Sequence, residues 1–335
     1  MKARRIERPE DLAPGLVLAR DAGKLRKGHV LGPADVATLR AAPFAALNAL
    51  ELEAGDLHEQ EAGSRLARAA AGPGVEPGAM EAGSFPLVAR SRGLLELQAE
   101  QMVQVNLIGD LAVYAHPPGT VVVEGDVIGR AKVVPFVTRE EKVRRAEELC
   151  AGILLRVRPF VAMRGVLLVQ EDLQESALER ARRSFEEKLA FFGSSLGAAR
   201  LVPGAPETLV EALREEVRSG ARLIVVAGSR SMDPLDPVMR AIEAAGARLE
   251  KHGVPAYPGT LLWLAWLGDA AIVGAPGCGI FSRASALDFV LPLLMTGARV
   301  GAEELAGLSV GGIVTPENSL RLAPYRKGIS RGQLE

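Results

Sequence analysis

A chain of 335 residues, 48% apolar and 24% charged, has material for two or three domains with substantial cores. Its formal net charge of −1 leaves no global field to draw in nucleic acid or an acidic membrane, so an anionic ligand must be held by local geometry. Two distant cysteines, Cys150 and Cys278, and four scattered histidines argue against a disulfide framework and a structural zinc site.

Residues 1–93, rich in Ala, Gly and Pro, read as a mainly helical region of short helices and turns. The N-terminus is charged with no apolar run behind it, so no secretory leader is expected. Asp56-Leu-His-Glu59 has the form of a capping box opening a helix to about Ala71. Residues 94–152 read as a β-rich linker. Leu111-Ala-Val-Tyr-Ala and Thr120-Val-Val-Val flank a His116-Pro-Pro-Gly119 turn, and Thr138 with Glu141 caps a closing helix that ends near Cys150.

Residues 153–300 alternate strand and helix. Val166–Val169, Ala199–Val202, Arg222–Ala227 and Ala270–Ala275 read as strands. Helices are expected from Ser176-Ala-Leu-Glu179, from Pro206, from Pro237 and from Ser282. This pattern predicts an α/β domain, a mostly parallel sheet in a three-layer α/β/α arrangement, preceded by an α+β region with its β-rich linker. Residues 301–335 read as a C-terminal extension. The most apolar stretch, residues 261–273, is broken by Gly268 and Asp269 and falls short of the ~20 residues needed to span a bilayer. A cytoplasmic protein is expected, with no nucleic-acid and no membrane partner.

Ligands of parallel sheets bind along the edge where the strands end, so three loops are candidates. In the first, Gly228 permits close backbone approach, Ser229 and Ser231 offer hydroxyls, and Arg230 offers a guanidinium fork. Asp233 and Asp236 either join this site or cap the helix at Pro237. In the second, Gly277, Cys278 and Gly279 precede Ser282 at a helix start, another anion cradle. Cys278 is a reactive thiol or simply a small residue in a tight loop. In the third, Glu171 and Asp172 follow the first strand and hold a divalent metal or form a solvated turn. Pro258-Gly259 marks a further turn, and His252 before it reads as a surface residue.

In order and spacing, these motifs resemble the molybdopterin-binding domain shared by molybdopterin molybdotransferases and molybdopterin adenylyltransferases. The matching segments are residues 223–236, Tyr257-Pro-Gly259, Val273-Gly-Ala-Pro-Gly-Cys-Gly and the apolar helix containing Pro292. The two-part architecture is closer to the molybdate-inserting branch. The resemblance implies molybdopterin or adenylylated molybdopterin as ligand, with its phosphate cradled by Gly228, Ser229, Arg230, Ser231, Gly277, Cys278, Gly279 and Ser282, beside Pro258 and Gly259. It implies Asp233 and Asp236 as catalytic groups placing molybdate or an ion, and Glu171 and Asp172 as Mg²⁺ ligands. It further implies a homo-oligomer, a dimer first, with an apo molybdoenzyme as possible partner. The chain departs from the family pattern at Gln170-Glu-Asp172, Ala227-Gly228 and Cys278-Gly279. Those departures leave open a non-catalytic carrier, chaperone or sensor of the same ligand, and beyond that an unrelated enzyme of a phosphorylated metabolite.

Overall fold

The computed structural model describes residues 1–151, 153–170, 173–202, 204–228, 233, 236–275, 284–314 and 321–325. The chain divides into two compact units: Met1–Ser91 with Leu95–Pro118 and Val122–Val157, and Arg92–Leu94 with Gly119–Val121 and Arg158–Glu335.

The first unit has two cores. A small one gathers Ile6, Leu12, Leu18, Leu31 and Val36 beneath a three-stranded sheet of Lys2–Ile6, Leu47–Glu51 and Val17–Leu18. A larger one packs Leu66, Ala67 and Ala70 of helix Glu59–Ala70 and Val143 and Ala146 of helix Glu140–Cys150 with a four-stranded antiparallel sheet. Residues 1–93 therefore hold as much strand as helix, where the sequence suggests mainly helix. Two expected caps are also displaced. Asp56 lies in strand Asp56–His58, its carboxylate taken by the Met1 ammonium, Arg139 and the Glu53 N–H, and His58 Nδ1 caps the helix by accepting from Gln60 N at 3.2 Å. Thr138 lies in strand Val137–Arg139 and donates its hydroxyl to Asp110 at 3.1 Å, so that helix starts at Glu140 with no side-chain cap.

The second unit is built on a six-stranded sheet. Its strands are β1 (Arg164–Val169), β2 (Ser195–Leu201), β3 (Ala221–Ala227), β4 (Arg248–His252), β5 (Trp263–Leu267) and β6 (Ala270–Ala275), in the order β2-β1-β3-β6-β5-β4. The helices are α1 (Glu175–Phe191), α2 (Pro206–Arg218), α3 (Pro237–Ala245), α4 (Ala286–Met295) and α5 (Ala302–Gly307). The ladders β2-β1-β3-β6 are parallel; β6-β5 and β5-β4 are antiparallel. The sheet is thus mixed, and β4 and β5 were not expected as strands. Only Gly268 and Asp269 join β5 to β6, and so short a turn permits no parallel crossover.

Alternate residues of β1 enter separate apolar clusters. Leu167 and Val169 pack with Phe185 and Leu189 of α1 and with α4; Val166 and Leu168 pack with Leu209 and Leu213 of α2 and Ile242 of α3. Burial on both sides explains why the central strands read as unbroken apolar runs. Full burial of each such Leu, Val or Phe contributes roughly 1.5–3 kcal/mol. Helix α1 begins at Glu175 behind Gln174, so Ser176 is inside the helix and not its cap.

At the β5–β6 pair Trp263 lies opposite Gly274, and the indole is fully buried. A Cβ on Gly274 would overlap the Trp263 ring, so the glycine is what admits the tryptophan. Gly274→Ala is expected to destabilise the chain by about 1–3 kcal/mol through overpacking. Denaturant unfolding of wild type and variant checks this, and equal stability would mean that the indole has another place to go.

Candidate functional site

The register of the ladders sets the geometry. Val169 pairs with Leu201 on one side and Ala227 on the other, and Ala227 pairs with Ala275. Four strand ends therefore form one row. Gln170 ties it together: its N–H donates to the Ala227 carbonyl at 2.9 Å and its side-chain amide donates to the Val202 carbonyl. The loops expected to carry function start from that row. Gly228, the first residue past β3, has φ of +93°, a conformation that costs a non-glycine residue heavily. Among the expected site residues, Glu171, Asp172, Ser229, Arg230, Ser231, Gly277, Cys278, Gly279 and Ser282 lie outside the described residues.

Asp236 is described, and it is a cap. Its carboxylate accepts from Val238 N at 2.7 Å, Pro237 occupies the first helical position of α3, and the side chain is buried. A turn closed by Asp236 N to the Asp233 carbonyl at 2.9 Å leads into it, with Asp233 exposed. The two aspartates adjoin the same row of strand ends through the helix that follows β3.

Pro258 and Gly259 reach that edge from the other side. Segment 253–262 links β4 to β5, and β5 enters the sheet with Trp263 beside Gly274, one residue short of the end of β6. The Pro258 carbonyl accepts from Ala286 N at 2.8 Å, and Gly259, at φ +113°, sits so close that a Cβ would lie 3.0 Å from that same nitrogen. The turn is thus docked on the start of α4. His252, at the end of β4, is exposed, as its surface reading requires.

Helix α4 starts at Ala286 with Ser285 as its cap; Ser282 was the expected cap. Leu287 N donates to Ser285 Oγ at 3.3 Å, Asp288 N to the Ser285 carbonyl at 2.9 Å, and Ser285 N to Asp288 Oδ2 at 2.8 Å. With Ala286 N taken by Pro258, the N–H groups of residues 285–288 are all engaged within the protein. The anion cradle expected at Gly277, Gly279 and Ser282 lies outside the described residues.

Residues 170–296 match a family model described as a probable molybdopterin binding domain. The match opens at Gln170, on the row of strand ends, and closes at Thr296, behind α4. No curated protein matches the chain. Among solved structures, the molybdopterin biosynthesis moea protein from Pyrococcus horikosii is 12% identical, covering 72% of this chain and 80% of that one, at a TM-score of 0.30. A putative molybdenum cofactor biosynthesis protein from Corynebacterium diphtheriae is 17% identical over 46% of this chain and all of that one, at a TM-score of 0.27. Among the described residues, no three His, Cys, Asp or Glu side chains gather as a metal site, and no helix is long and apolar enough to cross a membrane.

Sequence reading missed one polar cluster of this domain. Lys188 of α1 pairs with Asp288 of α4, both buried. The buried Tyr325 hydroxyl lies beside Asp288, and the Tyr325 ring stacks under Lys188 Nζ, 4.8 Å from its centroid. Burial first, and the Asp288 charge second, push the Tyr325 hydroxyl well above the usual range, so it stays protonated. Two signals were available. Lys188 falls on the inward stripe of Ala181, Phe185 and Phe192, and Asp288 is a lone charge in an apolar helix, three residues after Ser285 in a capping pattern.

Removing one partner strands the other charge in the core. Lys188→Met is expected to cost about 3–5 kcal/mol, and Lys188→Met with Asp288→Asn distinctly less. Denaturant melts of single and double variants check this. A double variant no better than the single would show that packing, not charge, is at stake.

Proposed function

We propose that the chain binds molybdopterin, or its adenylylated form, in molybdenum-cofactor biosynthesis, with the ligand's phosphate at the row of strand ends. The observation that carries this is the register placing Val169, Ala227 and Ala275 side by side, with Gly228 at positive φ immediately beyond, inside the stretch that matches the family. A left-handed glycine at a strand end exposes backbone N–H groups to an oxyanion without a side chain in the way.

The reaction we assign is molybdate insertion, with Asp233 and Asp236 placing the oxyanion or a Mg²⁺ ion. Mg²⁺ takes hard oxygen ligands, which carboxylates supply, and when bound it would screen charge between phosphate and molybdate. Glu171 and Asp172 are the further ligands this reading names. The wider reading is a cytoplasmic homodimer that passes the finished cofactor to an apo molybdoenzyme. A second reading, a non-catalytic carrier, is favoured by Asp236 itself, a residue 4% exposed whose carboxylate is engaged with Val238 N.

Asp236→Asn separates the two. Asn caps a helix about as well as Asp, so folding should hold. If the chain inserts molybdate, the variant should retain molybdopterin yet lose activity by roughly 10–100-fold, the usual cost of altering a metal's supporting groups. Reconstitution of an apo molybdoenzyme, alongside mass spectrometry of the ligand retained, measures both. Undiminished reconstitution removes the catalytic role, and a wild-type chain that retains no pterin removes the binding reading.

A further inference from the structure

We infer that Tyr257 is the stacking platform for the pyrimidine ring of the ligand's pterin, so that the edge recognises a flat nitrogen heterocycle as well as a phosphate; this rests on the pterin-binding reading above. Tyr257 is 68% exposed, yet its backbone is fixed on both sides. Its N–H donates to the Gly312 carbonyl and its carbonyl accepts from Val314 N, both at 2.8 Å, in a parallel bridge centred on Ile313. Gly312 lies so close against Pro255 and Ala256 that any side chain there would collide with their backbone. The flanking Val254, Ala256 and Leu262 are buried, and the next carbonyl, that of Pro258, holds Ala286 N.

An exposed aromatic ring contributes nothing to the core, so a fold that anchors the backbone beneath one by both its N–H and its carbonyl presents the ring from a fixed point. Its position matches the proposed site. Segment 253–262 emerges where β5 lies against the end of β6, the edge that also bears Gly228. Two strand spacings separate β5 from β3, about 10 Å. A phosphate beside Gly228 and a ring over Tyr257 are thus two ends of one extended ligand. Ile313, 66% exposed and bridged to Tyr257, widens the apolar ledge on which a flat ring would lie. Stacking on an aromatic face tolerates many heterocycles but needs a flat ring, so the ledge selects the pyrimidine ring of a pterin over a sugar phosphate.

The test titrates the full chain with hydroxymethylpterin phosphate, followed by pterin fluorescence, and separately with inorganic phosphate. Tyr257→Ala should weaken the pterin ester about tenfold, Tyr257→Phe should stay near wild type, and inorganic phosphate should bind all three alike. Wild type and Tyr257→Ala binding the ester equally would overturn the stacking role while leaving pterin binding intact. A wild-type chain that does not bind the ester overturns both. Equal loss of phosphate and ester in Tyr257→Ala would show a distorted edge and overturn the role. So would a change of oligomeric state in sedimentation with ester binding intact, which would make the ledge a contact between two copies of the chain.

Discussion

The register of the four parallel strands is the constraint on which the candidate site depends. A strand buried on one face has its register set by which side chains face inward, because a slip of one residue turns apolar groups outward. That safeguard is weak here. Val166, Leu167, Leu168 and Val169 are all buried apolar residues, so a slipped β1 would still bury hydrophobic surface on both sides. Register must come from particular shapes and polar bonds. Gly165 leaves room for Leu189, Gly274 leaves room for Trp263, and Gln170 reaches both neighbouring strands with its N–H and its amide. These few contacts keep Val169, Ala227 and Ala275 level, so that the chain leaves three strands from one line.

The Lys188–Asp288 pair links two helices that pack in one apolar cluster. It joins α1, which follows β1, to the first turn of α4, which follows β6 in the chain. Asp288 also accepts from Ser285 N, so one carboxylate both closes the helix start and anchors the lysine. Buried pairs of this kind cost desolvation and add little net stability, but they specify which surfaces meet. The Tyr325 ring extends the clamp to the C-terminal segment, where it also packs edge-on against Phe191 and Phe192.

The sequence is most legible where local chemistry and burial agree. Asp236-Pro237 with Gly246 marks both ends of α3, because the cap, the first-turn proline and the left-handed terminal glycine are local necessities. The apolar runs of β1, β3 and β6 are legible because both faces are buried. Strand β4, Arg248–His252, is hidden because an edge strand with polar side chains shows no periodic burial. Strand β5 is hidden because Trp263-Leu-Ala-Trp-Leu267 merges with β6 into one apolar stretch. Capping patterns mislead where a tertiary partner competes for the side chain. The Met1 ammonium and Arg139 occupy Asp56, Asp110 accepts from Thr138, and Ser285 in place of Ser282 receives the support of Asp288. At the site, Gly228, Asp236 and the Pro258-Gly259 turn were legible as loop chemistry. Tyr257 was not, since exposure of a single ring depends on the tail at residues 312–314, far away in sequence.

Charge at the edge imposes a further requirement on any phosphate ligand. The free N–H groups at a helix start attract anions, but α3 and α4 both begin with a carboxylate already seated on those groups, Asp236 on Val238 N and Asp288 on Ser285 N. At α4 that charge is answered by Lys188. A phosphate brought to the start of α3 would stand near Asp236, and two unit charges at 4 Å repel by about 1 kcal/mol in bulk water and about 4 kcal/mol at the effective dielectric of a protein surface. A cation between phosphate and Asp236 would remove that repulsion. The molybdopterin reading names two: the Arg230 guanidinium, which comes from the same loop, and a Mg²⁺ ion, which would turn Asp236 from an obstacle into a ligand. Either cation engages the charge of the carboxylate, but only the second makes Asp236 a metal ligand, and it is on that point that insertion chemistry and simple carriage diverge.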